Sequence, residues 1–274
     1  MTRLTGLWGP DRPETRAQQL ADRTRVEVAN VIVPPVVIQR RAPRVRRQPA
    51  LPDCVGCSIG GRTHALTGYD ASDRDLWREA QRRETGVFNP SDGTLLEYVV
   101  DGLMARGAKP YLPGEEFDTS ADPAGWTEDL EAYDIRQVGA QHRRLYLGNI
   151  EELYVALAAG WAVIDGGGVT ERFMNRGAEQ AGIAAGLDEL GGDRYGHSQG
   201  QCGYNLGVEI EGVPPGDVLL YAGSWDTDFA GCWVPVLDAG GAVIGREWWP
   251  GHFWAEAAVW PQRWDAHAIE LRAV

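Results

Sequence analysis

Apolar residues recur at helical spacing through the first half of the chain. The segment "DGTLLEYVVDGLMARG", residues 92–107, is the clearest example. It carries one apolar stripe, formed by Leu95, Leu96, Val99, Val100, Leu103 and Met104. Such a stripe predicts an amphipathic helix that packs on a core, and Gly107 is expected to end it.

Capping residues together with apolar spacing predict three other helices. They are a helix over 72–84 with Ser72 as N-cap, one over 149–160 with Asn149 as N-cap, and one that opens at Cys54 with Asp53 as N-cap. A short charged helix is also compatible with residues 14–29. The Pro34–Pro35 pair that follows favours extended backbone.

The pattern changes after about residue 160, where short β-rich runs are separated by Gly and Pro. The runs are "WAVIDGG", "QCGYNLGVEI", "GDVLLYAGSW" and "WVPVLDAGGAVIGREWW". Seven of the eleven Trp residues lie after residue 220, and we interpret them as core of a β lobe. We therefore expect an α+β fold with a cleft between two lobes. Its parts would be an extended Arg-rich arm over 1–47, a helical lobe over 48–145 and a β-rich lobe over 146–274.

Charge is divided unevenly between the N-terminal segment and the rest of the chain. Residues 1–50 hold ten arginines against four acidic residues, whereas the whole chain has a formal net charge of −13. An acidic body disfavours nucleic-acid binding by the main domain. The run "QRRAPRVRRQ" is interpreted as a solvated arm that lies on the acidic body, with docking onto a foreign partner as the alternative.

Several features point to the compartment. No run reaches the roughly 18 uncharged apolar residues that a membrane-spanning helix needs. The N-terminus lacks the apolar run of a signal peptide, and four cysteines in 274 residues are too sparse for a disulfide scaffold. These features predict a soluble protein with free thiols in a reducing cytoplasm, or in a virion if the chain is phage-encoded, and no membrane partner.

The peptide "QPALPDCVGCSIGG", residues 48–61, holds two cysteines three positions apart. A structural zinc site needs four ligands, yet Cys202 and Cys232 are thirty residues apart and form no second pair. His64 or His197 could complete a site, but no spacing indicates it. A redox pair normally follows a core strand, which "RRQPALPD" does not resemble. A nucleophile and ordinary buried sulfur are the interpretations left.

The first cysteine suits a nucleophile better than the second. Cys54 would lie at the positive end of a helix dipole, which favours the reactive thiolate. Cys57 is one turn further on and is interpreted as core sulfur. A thiolate nucleophile also needs a base, a donor for the oxyanion and a group that orients the base.

Several segments together resemble the papain-like cysteine peptidase family, in its bacterial and phage branch. Gln48-x5-Cys54 has the spacing at which the family places its oxyanion glutamine and its nucleophile, and "CVGCSIGG" is similar to its helix-start segment. "GHSQGQCGYN" is similar to the histidine segment and places His197 in it. "GDVLLYAGSWD" is similar to the strand that ends in Asn-Ser-Trp-Gly. The resemblance spans about residues 45–260.

This resemblance implies a papain-like two-lobe fold with a helical N-terminal lobe and a β-barrel-like C-terminal lobe. It also implies a peptide or protein substrate and no cofactor or metal. Cys54 would be the nucleophile, His197 the general base and Gln48 the oxyanion donor. Asp92 and Gly93 fall where the family's loop binds the substrate backbone, and the start of the next helix is the alternative explanation for them.

Two features depart from the family pattern. Gly223 stands where the family has the asparagine that orients the catalytic imidazole, although Trp225, which shields that contact from water in the family, is kept. The loss of an orienting group is expected to slow catalysis more readily than it abolishes it. Secreted members also carry a long inhibitory propeptide, whereas only 47 residues precede Gln48.

Three functions fit these residues. The first is a cysteine hydrolase that cleaves peptide or isopeptide bonds through Cys54 and His197. The second is a papain-fold subunit with weakened catalysis, which docks through its N-terminal arm into an assembly such as a virion or a secretion complex. The third is a compact Cys-His cell-wall amidase, to which "PPGDVLLY" is similar. In that class the strand precedes the histidine, whereas here Pro215–Asp217 follows His197.

Overall fold

The computed structural model describes most of the chain after its first 31 residues. The described residues are 32–43, 45–48, 51–115, 133–176, 181–192, 195–208, 216–224, 229 and 231–272. The helix anticipated over 14–29 lies outside them, as does Trp225.

The described helices include three longer ones before residue 110 and shorter ones after it. They are α1 Cys54–Thr67, α2 Asp73–Thr85, α3 Leu96–Ala105, α4 Ile150–Ala158, two short helices, α5 Glu171–Met174 and α6 Leu187–Leu190, and a 3-10 helix over Ala257–Gln262. The Ser72 side chain accepts from the Asp75 N–H and the Asn149 side chain from the Glu151 N–H, so both N-caps form as predicted.

The helix predicted over 92–107 begins later than its pattern suggests. α3 starts at Leu96, because the preceding loop is bonded to α2 instead of continuing the helix. The Trp77 Nε1–H donates to the Asp92 carbonyl over 3.1 Å, and the Gln81 side-chain amide donates to the Gly93 carbonyl over 3.3 Å. Gly107, at φ 84°, follows the end of the helix as predicted.

Nine strands are described. They are β1 Val36–Ile38, β2 Gly139–Arg144, β3 Ala162–Val169, β4 Tyr195–Val208, β5 Gly216–Ala222, β6 Cys232–Leu237, β7 Val243–Trp249, β8 His252–Glu256 and β9 Arg263–Leu271. In the described part of the chain, seven of them form one antiparallel sheet in the order β2-β9-β3-β4-β5-β8, with β1 beside β4. β6 and β7 pair as a separate hairpin.

Two hydrophobic cores lie on opposite faces of the sheet, because successive strand residues point to opposite faces, and a third lies between β5, β8 and the β6–β7 hairpin. Ala162 and Ile164 of β3 pack in the core beneath α1, α2 and α3. Val163 and Val169 of the same strand pack in the other core, against α4 and the aromatic residues of β5 and β8. This division gives a helical lobe and a β-rich lobe that share the central strands.

The described part of the N-terminal segment is laid against both lobes. β1 pairs with β4 in the register Val37↔Tyr204, and the Gln39 side chain donates to the Trp161 carbonyl over 2.8 Å. Further on, the buried Arg46 guanidinium reaches Asp73 over 2.8 Å. The segment therefore carries the chain from the sheet to the start of α1.

The late tryptophans divide between core and surface. Trp249, Trp254 and Trp260 are buried, as predicted for the core of a β lobe. Trp233 and Trp248 instead form an edge-to-face pair on the hairpin and are 50% and 37% exposed. None of the helices in the described ranges is both long enough and apolar enough to cross a bilayer.

Candidate active site

Helix α1 is buried over most of its length and begins at Cys54, as predicted. Its glycines allow α2 to approach closely, because a Cβ on Gly56 would lie 2.0 Å from the Asp73 carbonyl oxygen and one on Gly60 2.2 Å from the Asp73 carboxylate. The close packing fixes the start of α1 between the lobes. The Cys54 side chain there has no exposed surface.

The prediction that the Asp53 side chain caps α1 is wrong. Asp53 precedes the helix, but its carboxylate makes no capping hydrogen bond. One of its oxygens accepts from the Arg74 Nε–H over 3.1 Å, and the other lies 4.0 Å from the Cys57 sulfur. A buried guanidinium attracts the carboxylate away from the helix N–H groups.

Behind α1 lies an ionic cluster of five buried side chains, namely Arg46, Asp53, Asp73, Arg74 and Glu115. Burial raises the pKa of Asp53 to about 8, although Arg74 opposes the shift. Burial, followed by repulsion from Asp73, raises the pKa of Glu115 to about 7. Burial also raises the pKa of the Cys57 thiol well above its usual value, and the nearby Asp53 and Asp73 raise it further. A thiol in this setting stays protonated at neutral pH.

On the other side of the helix start, a chain of hydrogen bonds joins Gln48 to His197. The Gln48 N–H donates to the Ser224 carbonyl over 2.6 Å, and the Ser224 hydroxyl donates to Gln48 Oε1 over 3.2 Å. The same hydroxyl oxygen lies 3.4 Å from His197 Nε2. Gln48, Ser224 and His197 are all buried. Gln48, the predicted oxyanion donor, and His197, the predicted base, thus both contact Ser224, which lies just after β5.

A second set of hydrogen bonds connects the first turn of α1 with the strand that carries His197. The Ser58 hydroxyl donates to the Cys54 carbonyl over 2.8 Å. The Ser198 hydroxyl, on the residue after His197, donates to the Ser58 oxygen over 3.0 Å. Segments about 140 residues apart in sequence are therefore held against each other across the two lobes.

Aromatic rings lie near Gly223 and near the His197 imidazole. A Cβ on the buried Gly223 would lie 3.1 Å from Phe229 Cδ1 and 3.0 Å from the Gly251 carbonyl oxygen. Phe229 packs edge-on against Phe173, with ring centroids 5.3 Å apart. The centroid of the Phe173 ring in turn lies 6.4 Å from that of the His197 ring. A larger residue at position 223 would therefore require Phe229 or the Gly251 backbone to shift.

The remaining predicted site residues are less closely tied to this chain. The Asp92 carboxylate accepts from the Asn89 side chain over 2.7 Å, and the backbone carbonyls of Asp92 and Gly93 accept from α2. Trp225 lies outside the described residues. Sequence reasoning gave Ser224 no role, and the only signal for it was its place in "GSW", directly after Gly223.

In the described ranges, no three His, Cys, Asp or Glu side chains form a group that could hold a metal ion. All four cysteines are thiols and none forms a disulfide. A cavity of about 20 Å³ lies behind Ser224 and is lined in part by Arg46, Arg62 and His252. Its size suits one or two water molecules.

Three helices packed on one face of the sheet and a β-rich lobe on the other match the predicted two-lobe α+β plan. The predicted fold class is therefore confirmed. The chain is similar to xylellain, a cysteine protease from Xylella fastidiosa, with a TM-score of 0.60 and 14% identity over 100% of this chain and 98% of that one.

Other solved structures give the same result. The bromelain protease from Ananas comosus, in complex with the E64 inhibitor, matches with a TM-score of 0.60 and 11% identity over 88% of this chain and 100% of its own. The Amb a 11 cysteine protease of ragweed pollen, in its proform, matches at 0.60 and 12% over 98% and 77%. No family model matches the sequence, and no curated protein does. These similarities establish the fold.

Proposed function

We propose that this protein is a cysteine hydrolase that cleaves peptide or isopeptide bonds. The observation that carries the proposal is the contact of one residue, Ser224, with both Gln48 and His197 beside the helix that begins at Cys54. Two predicted catalytic groups that are 149 residues apart in sequence thus contact the same residue. The fold shared with cysteine proteases supports the same assignment.

The reaction follows from the chemistry of these groups. His197 takes the proton of the Cys54 thiol, and the thiolate attacks the substrate carbonyl carbon. The Cys54 N–H and the Gln48 side-chain amide stabilise the oxyanion. Gln48 Nε2 donates one hydrogen to the Leu51 carbonyl over 2.8 Å, and the same nitrogen carries a second hydrogen. The imidazolium then protonates the leaving amine, and water hydrolyses the thioester to regenerate Cys54.

A second candidate function is a papain-fold subunit that binds partners without turnover. One observation favours it: the side chains of Cys54 and His197 are both fully buried. A substrate could reach them only if the groups that cover them moved. In this case the N-terminal segment would dock onto neighbouring proteins of an assembly. That assembly would be bacterial or phage-encoded and would lie in the cytoplasm, as expected from the sequence.

A cleavage assay separates the two candidates. The full chain is incubated at neutral pH with a complex peptide mixture and with peptides joined through a lysine side chain, and new termini are identified by mass spectrometry. The hydrolase predicts new termini with wild type and with Cys57→Ala, and none with Cys54→Ala. A folded wild-type protein that cleaves nothing would favour the non-catalytic subunit.

A further inference from the structure

We propose that Ser224 is the positioning residue that orients the His197 imidazole in place of the missing asparagine. This inference rests on the proposed hydrolase function and adds a third member to the Cys54–His197 pair. It follows from the direction of the hydrogen bonds, from their burial and from the space around Gly223.

The hydrogen bond from Gln48 to Leu51 fixes which group donates and which accepts along this chain of hydrogen bonds. Because Gln48 Nε2 donates to the Leu51 carbonyl, Gln48 presents Oε1 to Ser224 as an acceptor. The Ser224 hydroxyl must therefore use its hydrogen on Gln48. Its oxygen keeps only lone pairs for His197, so Nε2 of the ring is the protonated nitrogen and donates to Ser224. Nδ1 is then the nitrogen that can act as the base.

The backbone around Ser224 holds its hydroxyl in place. The Gln48 N–H donates to the Ser224 carbonyl, and the Gly223 N–H donates to the Gly251 carbonyl over 2.8 Å. Ser224 is 3% exposed and His197 has no exposed surface. Hydrogen bonds at such low exposure meet little competition from water, so the contact can fix the orientation of the ring.

Gly223 has no side chain that could orient the ring. A Cβ there would lie 3.1 Å from the Phe229 ring, so a larger residue would require Phe229 to shift. The neighbouring hydroxyl is 3.4 Å from Nε2. A serine one residue later in the chain therefore makes the contact with the histidine ring that residue 223 does not make.

The test uses the full chain and two readouts, one of which does not depend on catalysis. Nitrogen NMR of the histidine rings, with His197 assigned by loss of its signals in His197→Gln, reports which ring nitrogen carries the proton. The rate at which iodoacetamide alkylates Cys54, followed by peptide mapping from pH 4 to 10, reports the thiolate. The variants are Ser224→Ala, Ser224→Thr and, as a matched loss of a buried hydroxyl outside this chain of hydrogen bonds, Thr63→Val.

We expect Ser224→Ala to lose the Nε2–H form of His197 and to alkylate about 10-fold more slowly at pH 7. The pH at which the rate rises should move up by about one unit, because the imidazolium that stabilises the thiolate loses an acceptor. Ser224→Thr, which keeps a hydroxyl, should restore both readouts, and Thr63→Val should move neither. An unchanged tautomer and profile in Ser224→Ala, or an equal change in Thr63→Val, would overturn the proposal.

The two readouts also separate this inference from the proposed function. If wild-type Cys54 is alkylated readily while Ser224→Ala behaves like wild type, the positioning role fails and the hydrolase stands. If wild-type Cys54 does not react but Ser224→Ala still loses the Nε2–H signal, the hydrolase fails and the orienting contact stands.

Discussion

Two buried polar groupings beside the first turn of α1 differ in chemistry. Gln48, Ser224 and His197 form a chain of hydrogen bonds that contains no carboxyl group. Around Cys57 the polar groups are instead buried carboxyls, and its sulfur lies 4.0 Å from Asp53. Burial and these carboxyls raise the pKa of Cys57, so a place in the first turn of a helix does not by itself favour the thiolate.

Replacing each of the two cysteines in turn should give the largest difference in activity. Cys54→Ala should lower the rate of hydrolysis by about 10⁴-fold or more, since no other group supplies the nucleophile. Cys57→Ala should keep activity within a few-fold of wild type, because its thiol serves only packing. The measurement is kcat/KM on the best substrate from the cleavage assay. Equal losses of kcat/KM in the two variants would contradict the different roles assigned to Cys54 and Cys57.

The ionic cluster should prove important for stability. Arg74→Met leaves the buried Asp53 carboxyl, which its raised pKa keeps largely protonated at neutral pH, without the guanidinium that bonds it over 3.1 Å. We expect the free energy of unfolding to fall by about 1–3 kcal/mol in urea denaturation. Combining Arg74→Met with Asp53→Leu should recover part of the loss, because no buried carboxyl remains at position 53. A change below about 1 kcal/mol in the single variant would contradict this account of the cluster.

The same cluster should make stability depend on pH. Folding raises the pKa of Asp53 from its ordinary value of 3.8 to about 8, and that of Glu115 from 4.5 to about 7. Between these values the unfolded chain has released protons that the folded chain still holds, so the free energy of unfolding falls as pH rises from about 4 to 8. Asp53→Asn should flatten this slope in urea denaturation at a series of pH values. Asp134→Asn, at an exposed ion pair, is the control and should leave the slope unchanged.

His252 should produce a smaller dependence of the opposite sign. Burial lowers the pKa of this histidine from 6.5 to about 4, with nearby Arg62 and Arg41 contributing. Between pH 6.5 and 4 the unfolded chain binds a proton at this residue that the folded chain does not. The contribution of His252 to the free energy of unfolding is therefore lost as pH falls through this window. The loss is on the order of 2–3 kcal/mol. His252→Gln should abolish it, and an unchanged acid limb in that variant would contradict the assignment.

Local signals predicted the elements that carry the site. The start of α1 at Cys54 and the side-chain caps at Ser72 and Asn149 depend on a few neighbouring residues, and the sequence contains all of them. The strand after residue 160 was also predicted, and β3 forms there. The resemblance to the papain-like family paired Gln48 with Cys54, and their catalytic roles stay predictions.

Contacts between distant segments could not be predicted in the same way. Asp53 has the residue type and position of an N-cap, yet its carboxylate binds Arg74, which lies 21 residues further on. Phe229 takes the space beside Gly223, and no local pattern indicates that its ring would turn there. The contact of Ser224 with Gln48 spans 176 residues. Each of these depends on how the lobes pack.

Site-resolved labelling tests the central claim most directly. The native full chain is treated at neutral pH with a peptide-like, thiol-directed electrophile, and the modified cysteine is identified by mass spectrometry. We predict that the groups that cover the buried Cys54 move to admit the reagent, so that Cys54 alone is modified rapidly. Cys57, Cys202 and Cys232 should react only after unfolding, because burial raises the pKa of each. A folded protein in which Cys54 stays unmodified, or reacts no faster than the other three thiols, would contradict this prediction.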